Sequence, residues 1–228
     1  MTVPVTPDTP ETLDRREGPY GEVVLRRRGT TYEIIANGCF LMDTSDGRSE
    51  RMLVDAAYLA LDPPPGSRPA LLIGGLGVGF SLAHAAARPH WGRIAVVERE
   101  AAVVDWHRSG PLAEVSAAAL ADPRTEVLQT DLVAYLAGSA DRYDALCLDI
   151  DNGPDWTVDE DNRGLYAPAG LAACRDRLRP GGVLAVWSAQ PSAAFEDALR
   201  AAGFGDVRTQ EVPVARGVPD AVHLARRR

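Results

Sequence analysis

From residue 70 onward, short apolar runs alternate with longer stretches in which apolar residues recur every three or four positions. Runs that are apolar on both faces are typical of parallel strands covered by helices, and the longer spacing is typical of amphipathic helices. The runs predict strands over 70–75, 93–98, 125–130, 144–150 and 182–188. The stretches between them predict helices over 78–87, 100–120, 131–138, 165–178 and 192–202. This alternation predicts an α/β fold with a doubly wound, mostly parallel sheet.

The pattern before residue 63 is different. Three stretches rich in β-branched and aromatic residues, "EVVLRRRG", "TYEIIANG" and "CFLMDT", are separated by turn residues and predict a small antiparallel meander. A helix capped by Ser49 is predicted over 50–61, and Pro-rich 62–69 is predicted to link it to the large domain.

The chain therefore divides into three predicted regions. They are a flexible tail over 1–20, the meander with its helix over 21–62, and a large domain over 63–228. At the end of the chain, "DVRTQEVP" and "AVHLARR" are predicted to form a closing antiparallel pair of strands.

Charge and composition narrow the possible partners. The formal net charge of -8 would repel a phosphate backbone, so nucleic acid is not expected as a partner. No apolar run of membrane-spanning length and no signal-peptide pattern occur, so we expect no membrane association and a cytoplasmic location. The cysteines Cys39, Cys147 and Cys174 are far apart and odd in number, which favours reduced thiols over disulfides or a metal site.

Four glycines, Gly74, Gly75, Gly77 and Gly79, stand where the first strand of the large domain turns into a helix. Glycine at such a turn lets a ligand approach the backbone closely. Glu98 ends the next strand, where a carboxylate can accept hydrogen bonds from both hydroxyls of a ribose. Together these features predict a nucleoside-binding crevice at the carboxyl end of the sheet.

The spacing of the glycines distinguishes between classes of nucleotide-binding protein. It reads G-x-G-x-G, which is neither the G-x-G-x-x-G of dinucleotide-binding proteins nor a P-loop, and it is the pattern of transferases that use an adenosyl sulfonium. Asp131 follows the third strand, where it can accept a hydrogen bond from an adenine amino group, cap the next helix, or do both.

The loop after the fourth strand contains six carboxylates between residues 149 and 161. Asp149 and Asp151 are the candidate catalytic residues, with Asp149 as the base that removes a proton from an amine. Asp151 or Asp155 would position the ammonium of the acceptor, and Trp156 would cover the pocket or make a cation-π contact. The acids at 159–161 are expected to be solvated or to cap the next helix.

Five segments, in their order and spacing, resemble those of spermidine synthases, the polyamine aminopropyltransferases built on the class I S-adenosylmethionine-dependent methyltransferase fold. The segments are "IGGLGVG", "VVERE", "DPRTEVLQTD", "YDALCLDID" and "LRPGGVLAVWSAQP". The resemblance implies a Rossmann-like sheet of the class I methyltransferase type, a donor that is S-adenosylmethionine or its decarboxylated form, a small amine acceptor, no metal, and a possible homodimer. It also implies that Glu98 holds the ribose, Asp131 faces the adenine, and Asp149 accepts the amine proton.

The chain departs from this family at positions that contact the substrates. Spermidine synthases usually have "GGGDGG", whose Asp holds the amino end of the decarboxylated donor, and Gly77 stands at that position here. Asn152 replaces the second acid of their "DSSDP" loop, and their "YHE" motif corresponds to 53–55. Without the first carboxylate, both donors remain possible, and so do methyl transfer and aminopropyl transfer.

These observations predict a transferase that alkylates a small cationic amine with an adenosyl sulfonium donor. Displacement at a carbon next to sulfonium requires mainly alignment, together with removal of a proton from the amine. The alternative, suggested by the altered acceptor positions, is a catalytically inactive nucleoside-binding or regulatory protein of the same fold. A nicotinamide-dependent oxidoreductase is disfavoured by the glycine spacing.

Overall fold

The computed structural model describes residues 9–150, 152–157, 162–214 and 217–228, which form two β-sheets and the helices that pack on them. The strands are β1 (Glu11–Gly18), β2 (Gly21–Arg28), β3 (Thr31–Ala36), β4 (Cys39–Asp43), β5 (Ala70–Gly74), β6 (Arg93–Glu98), β7 (Thr125–Gln129), β8 (Tyr143–Leu148), β9 (Leu178–Ser188), β10 (Phe204–Val212) and β11 (Asp220–Arg227). The helices are α1 (Arg48–Leu61), α2 (Phe80–Ala86), α3 (Ala101–Arg108), α4 (Ala113–Leu120), α5 (Leu132–Gly138), α6 (Arg163–Tyr166), α7 (Pro168–Arg177) and α8 (Ala193–Ala201).

The large sheet has the strand order β10-β11-β9-β8-β5-β6-β7. Strands β5 to β9 pair in parallel, whereas β11 is antiparallel to both β9 and β10. Apolar side chains are buried on both faces of this sheet, in two separate core clusters. The predicted α/β fold with a mostly parallel, doubly wound sheet is confirmed, and so is the closing antiparallel pair.

The direction of winding reverses at β5. Strands β6 and β7 extend the sheet on one side of β5, and β8 and β9 extend it on the other. Connecting loops diverge at such a point and leave a crevice beyond the carboxyl ends of the strands, where ligands of open α/β sheets bind. The fold therefore places the ends of β5, β6 and β8 around one crevice.

The small antiparallel sheet has the order β1-β2-β3-β4 and includes the predicted meander. The prediction of a flexible tail was wrong for Glu11–Gly18, which forms β1 and pairs along β2. Its side chains are mostly exposed and polar, so the strand lacks the apolar alternation by which sequence analysis detects strands. Ion pairs of Glu11 with Arg27 (2.6 Å) and of Arg15 with Glu22 join the two strands.

Three helix boundaries also differ from the prediction. The helix predicted over 100–120 is two helices, α3 and α4, separated by a break at 109–112 that contains Gly110 and Pro111. The helix predicted over 165–178 is likewise divided, and α7 begins at Pro168. Helix α1 begins at Arg48 after Gly47, so Ser49 is not its N-cap. No helix in the described part of the chain is both long and apolar enough to cross a membrane.

Candidate functional site

A cavity of about 740 Å³ lies beyond the carboxyl ends of β5, β6 and β8. The small sheet and the start of α1 close its opposite side, since residues of β2, β3, β4 and α1 line it as well. The small sheet is fixed to the large domain by the indole N–H of Trp106, which donates to Asp14 (2.8 Å), and by an ion pair of Arg16 with Asp105 (2.7 Å). The volume is that of a small-molecule site.

Two of the four glycines in the loop face this cavity. Gly75 and Gly77 line it, and both have positive φ angles, of 91° and 50°. A Cβ at Gly75 would lie 2.4 Å from the carbonyl oxygen of Asp149, so the close approach of the two loops requires glycine there. Gly74 and Gly79 do not line the cavity, because Gly74 packs under Leu132 and Gly79 packs against a histidine of α3. These two glycines accommodate neighbouring side chains.

Glu98 ends β6 at the floor of the cavity and is only 9% exposed. Its Oε2 accepts a hydrogen bond from the backbone N–H of Leu76 (3.0 Å), and its Oε1 accepts one from the N–H of Glu100 (2.8 Å). Burial raises the pKa of Glu98, and these amide bonds oppose that rise. Because a carboxylate has about four acceptor positions, Glu98 retains capacity for ligand hydroxyls.

Asp131 lines the same cavity at the end of β7. Its Oδ1 accepts a hydrogen bond from the N–H of Ala134 (2.8 Å), so it is the N-cap of α5. The predicted cap is confirmed, and the side chain still lies at the cavity wall, where contact with an adenine stays a prediction.

Asp149 directly follows β8 and lines the cavity opposite the glycine loop. Its backbone N–H donates to the carbonyl of Gly74 (2.9 Å), which continues the pairing of β8 with β5 beyond the end of the strand. Burial, followed by the nearby carboxylates of Glu50 and Asp220, raises the pKa of Asp149 well above its ordinary value. A cationic ligand beside Asp149 would offset the surrounding negative charge and favour the ionised form of its carboxyl group.

The carboxylates of Glu50 and Asp220 were missed by sequence analysis. Glu50 lies on α1 and is 8% exposed, and Asp220 begins β11. Both line the cavity, and burial raises the pKa of each. The sequence feature that could have identified Glu50 is an acidic residue on the buried face of an amphipathic helix. No local sequence pattern identifies Asp220. The antiparallel placement of β11 beside β9 brings it to the site.

The correspondence of 53–55 to a substrate motif was wrong. Leu53 and Val54 are buried in the core, and Asp55 pairs with His84 (2.9 Å) and Arg88 (3.2 Å) away from the cavity. The residues of α1 that line the cavity are Ser49 and Glu50, and the Ser49 hydroxyl donates to Glu50 (3.0 Å). The register of the helix explains the error, because the apolar face that anchors α1 includes 53 and 54.

The loop after β8 contributes less than expected. Trp156 lies at the mouth of the cavity and is 63% exposed. Asp155 does not line the cavity, and its carboxylate accepts a hydrogen bond from the Ser192 hydroxyl (3.0 Å) instead. Asp151 and the acids at 159–161 lie outside the described residues.

Most charged side chains in the described lining of the cavity are acidic, and Arg99 is the one basic residue among them. The acids are Asp43, Asp46, Glu50, Glu98, Glu100, Asp131, Asp149 and Asp220. The guanidinium of Arg99 lies over the ring of Tyr20 (4.3 Å to the centroid) and 3.8 Å from Glu100. Such a lining attracts cations and repels anions. Within the described segments, no group of His, Cys, Asp and Glu side chains is arranged to hold a metal ion.

Met42 of β4 contacts the glycine loop from the side of the small sheet. A Cβ at Gly77 would lie only 2.3 Å from the Met42 sulfur, so the thioether fills the space that a side chain at 77 would need. This is the position at which the resemblance implies an Asp. The chain therefore presents an apolar thioether there in place of a carboxylate.

No family model matches the chain, but individual proteins of known function are similar to it. It is 30% identical over 179 residues to a polyamine aminopropyltransferase of Mycobacterium tuberculosis, covering 77% of this chain and 32% of that protein. It is 32% identical over 148 residues to polyamine aminopropyltransferase 2 of Pseudomonas aeruginosa, covering 63% of this chain and 39% of that protein. The chain thus spans less than half the length of these two relatives.

Solved structures show the same fold. A spermidine synthase in complex with the transition-state analogue AdoDATO superposes with a TM-score of 0.76 at 17% identity, over 95% of this chain and 73% of that one. The spermidine synthase of Thermotoga maritima gives a TM-score of 0.74 at 14% identity, over 95% and 72%. The predicted resemblance is confirmed: the chain is similar in sequence to polyamine aminopropyltransferases and has the fold of spermidine synthases.

Proposed function

We propose that this chain transfers an aminopropyl group from decarboxylated S-adenosylmethionine to a small cationic amine. The observation that carries the proposal is one cavity that joins a nucleoside-type crevice, with Glu98 at its floor, to Asp149 and an acidic wall. The similarity to polyamine aminopropyltransferases supports it.

The donor would lie along the ends of β5, β6 and β7. The carboxylate of Glu98 would accept hydrogen bonds from the ribose, and the bare backbone at Gly75 and Gly77 allows a nucleoside to approach closely. Asp131, at the end of β7, would accept a hydrogen bond from the adenine amino group.

The charge of the cavity favours the decarboxylated donor over the ordinary one. Ordinary S-adenosylmethionine carries a carboxylate, which would enter a cavity whose described charged side chains are acidic except for Arg99. The decarboxylated donor carries only positive groups, the sulfonium and an ammonium, and both are attracted by this lining. The Met42 thioether beside Gly77 offers no positive partner for a donor carboxylate either.

The reaction is an in-line displacement. The lone pair of the acceptor nitrogen attacks the aminopropyl carbon bound to sulfonium, a C–N bond forms, and the C–S bond breaks as 5′-methylthioadenosine leaves with the electron pair. Asp149 takes the proton that the nitrogen must lose, and its raised pKa makes it a stronger base than an ordinary carboxylate. Glu50 and Asp220 would hold the positive charge of the acceptor beside the reacting carbon.

The test incubates the purified protein with each donor and a series of amines and quantifies the released nucleoside by mass spectrometry. We expect 5′-methylthioadenosine with the decarboxylated donor. Asp149→Asn should lower turnover by about 10²–10⁴-fold because it removes the base, with nucleoside affinity retained. Asp155→Asn is the matched control, since this exposed acid of the same loop lies off the cavity, and it should leave turnover unchanged.

Other outcomes would overturn the proposal. Release of S-adenosylhomocysteine from the ordinary donor would indicate methyl transfer. Tight binding of a donor without product from any amine would favour the inactive, nucleoside-binding alternative. Equal losses in the Asp149 and Asp155 variants would remove Asp149 as the base.

A further inference from the structure

His107 of α3 is buried beneath the glycine loop, with only 1% of its surface exposed. Its Nε2 lies 2.8 Å from the carbonyl oxygen of Gly77, and its Nδ1 lies 2.7 Å from the hydroxyl of Ser116 on α4. Gly77 lines the cavity, whereas His107 and Ser116 do not. A hydrogen-bonded chain thus runs from α4 through α3 to the loop that forms the cavity wall.

The partners of His107 define its tautomer. A carbonyl oxygen can only accept, so Nε2 carries the proton and donates to Gly77. In a neutral ring Nδ1 is then an acceptor, and the Ser116 hydroxyl donates to it. Burial lowers the pKa of His107, which favours this neutral form.

The imidazole also shapes the loop by packing. A Cβ at Gly79 would lie 2.8 Å from its Cε1, so the ring occupies the space below the loop and requires glycine at that position. Gly75, Gly77 and Gly79 all have positive φ angles, and glycines have many alternative conformations when nothing holds them. The bond to the Gly77 carbonyl selects one of these conformations.

We propose that His107 is a positioning residue, which holds the glycine loop in the conformation that receives the adenosyl nucleoside, while the Ser116 hydroxyl holds the imidazole in place. His107 contacts the loop from the side opposite the cavity, so it acts through Gly77 and not on a substrate. The inference rests on the proposed function only for the identity of the nucleoside.

The experiment titrates the unaltered protein and its variants calorimetrically with 5′-methylthioadenosine. His107→Leu, which leaves the Gly77 carbonyl without its donor, should weaken binding about tenfold or more. His107→Gln places an amide N–H near the position of Nε2 and should restore affinity to within about threefold. Ser116→Ala keeps the bond to Gly77 but removes the partner of Nδ1, so the ring is held less firmly, and binding should weaken about two- to threefold.

The matched control is His223→Leu. His223 is equally buried, at 0% exposure, and its Nδ1 contacts Thr209 (2.8 Å) away from the cavity. Its replacement should lower thermal stability without changing nucleoside affinity. Equal loss of affinity in the two leucine variants, or unchanged affinity in folded His107→Leu, would overturn the proposal. If His107→Leu does not fold, His107→Gln is compared with His107→Asn, whose shorter side chain cannot reach the Gly77 carbonyl. Equal nucleoside affinity of these two variants would overturn the proposal.

A second measurement separates this inference from the proposed function. If the unaltered protein does not bind 5′-methylthioadenosine, the proposed function fails while His107 can still be tested. Amide hydrogen exchange over 74–80 should then be faster in His107→Leu than in the unaltered protein and near normal in His107→Gln. Unchanged exchange in all variants would show that His107 does not hold the loop.

Discussion

The two sides of the cavity are built in different ways. On the proposed donor side, Glu98 and Asp131 accept hydrogen bonds of 3.0 and 2.8 Å from backbone amides, and His107 contacts the glycine loop. On the proposed acceptor side, burial raises the pKa of Asp149 and of Glu50, and neighbouring carboxylates raise both further. The donor side is organised before any ligand arrives, whereas the acceptor side holds concentrated negative charge. We therefore expect donor binding to depend on hydrogen-bond geometry and acceptor binding to depend on charge.

Among the substitutions that distinguish the two sides of the cavity, Glu98→Gln should cause the largest loss of nucleoside affinity. The glutamine must turn its NH₂ group toward a backbone N–H of Leu76 or Glu100, so a hydrogen bond is replaced by two facing donors. Loss of a charged hydrogen bond and of the ribose acceptor should weaken 5′-methylthioadenosine binding by about 10- to 100-fold in calorimetry. Glu126→Gln on the exposed face of β7 is the matched control. A change of less than about threefold would contradict the ribose role.

Glu50→Gln and Asp220→Asn should give the opposite profile. Each removes one negative charge from the acidic wall, so the KM of the amine should rise about tenfold, equivalent to about 1.4 kcal/mol, with little change in nucleoside affinity. Asp55→Asn is the control for a change in net charge, because Asp55 lies on the same helix as Glu50 but outside the cavity. Steady-state kinetics with saturating donor would measure the change. Equal loss of nucleoside affinity would show that the two sides are not separate.

The same contrast explains what the sequence could predict. Glu98 ends a strand of the parallel sheet, and Asp131 and Asp149 follow two others. The carboxyl ends of such strands meet at one edge, so the proximity of these residues could be predicted from local patterns. Glu50 and Asp220 reach the cavity only through the packing of α1 and the antiparallel placement of β11. No local pattern contains that information.

Other errors have equally physical origins. Gly74 and Gly79 look the same in sequence as the two glycines that line the cavity, and only their neighbours, Leu132 and His107, show that they serve packing. Strand β1 was missed because main-chain pairing and ion pairs hold a polar segment that buries little apolar surface. Features carried by contacts between distant segments were the ones that the sequence did not reveal.

The smallest predicted effect tests whether the acidic wall costs stability. Burial and the carboxylates of Glu50 and Asp220 raise the pKa of Asp149 in the folded state. The protonated Asp149 carboxyl therefore contributes its full stabilisation below the unfolded-state pKa, about 3.9. This stabilisation is lost as the pH rises through the folded-state pKa. The asparagine of the Asp149→Asn variant cannot ionise, so the variant without ligand should have a higher Tm at about pH 7.5. The expected rise is roughly 2–4 °C for each kcal/mol of unfolding free energy gained, and it should be smaller near about pH 5. Calorimetric Tm values at both pH values measure the difference, with Asp155→Asn as the exposed control.

A Tm gain that is the same at both pH values would indicate a packing effect, and no gain would mean that the acidic wall imposes no cost on the ligand-free fold. A pH-dependent gain, together with lost turnover, would mean that the residue proposed as the base destabilises the protein through the same proximity of charges that attracts the amine. An amine bound beside Asp149 would then reduce the difference in Tm between the two proteins, because its positive charge offsets the repulsion that the substitution removes.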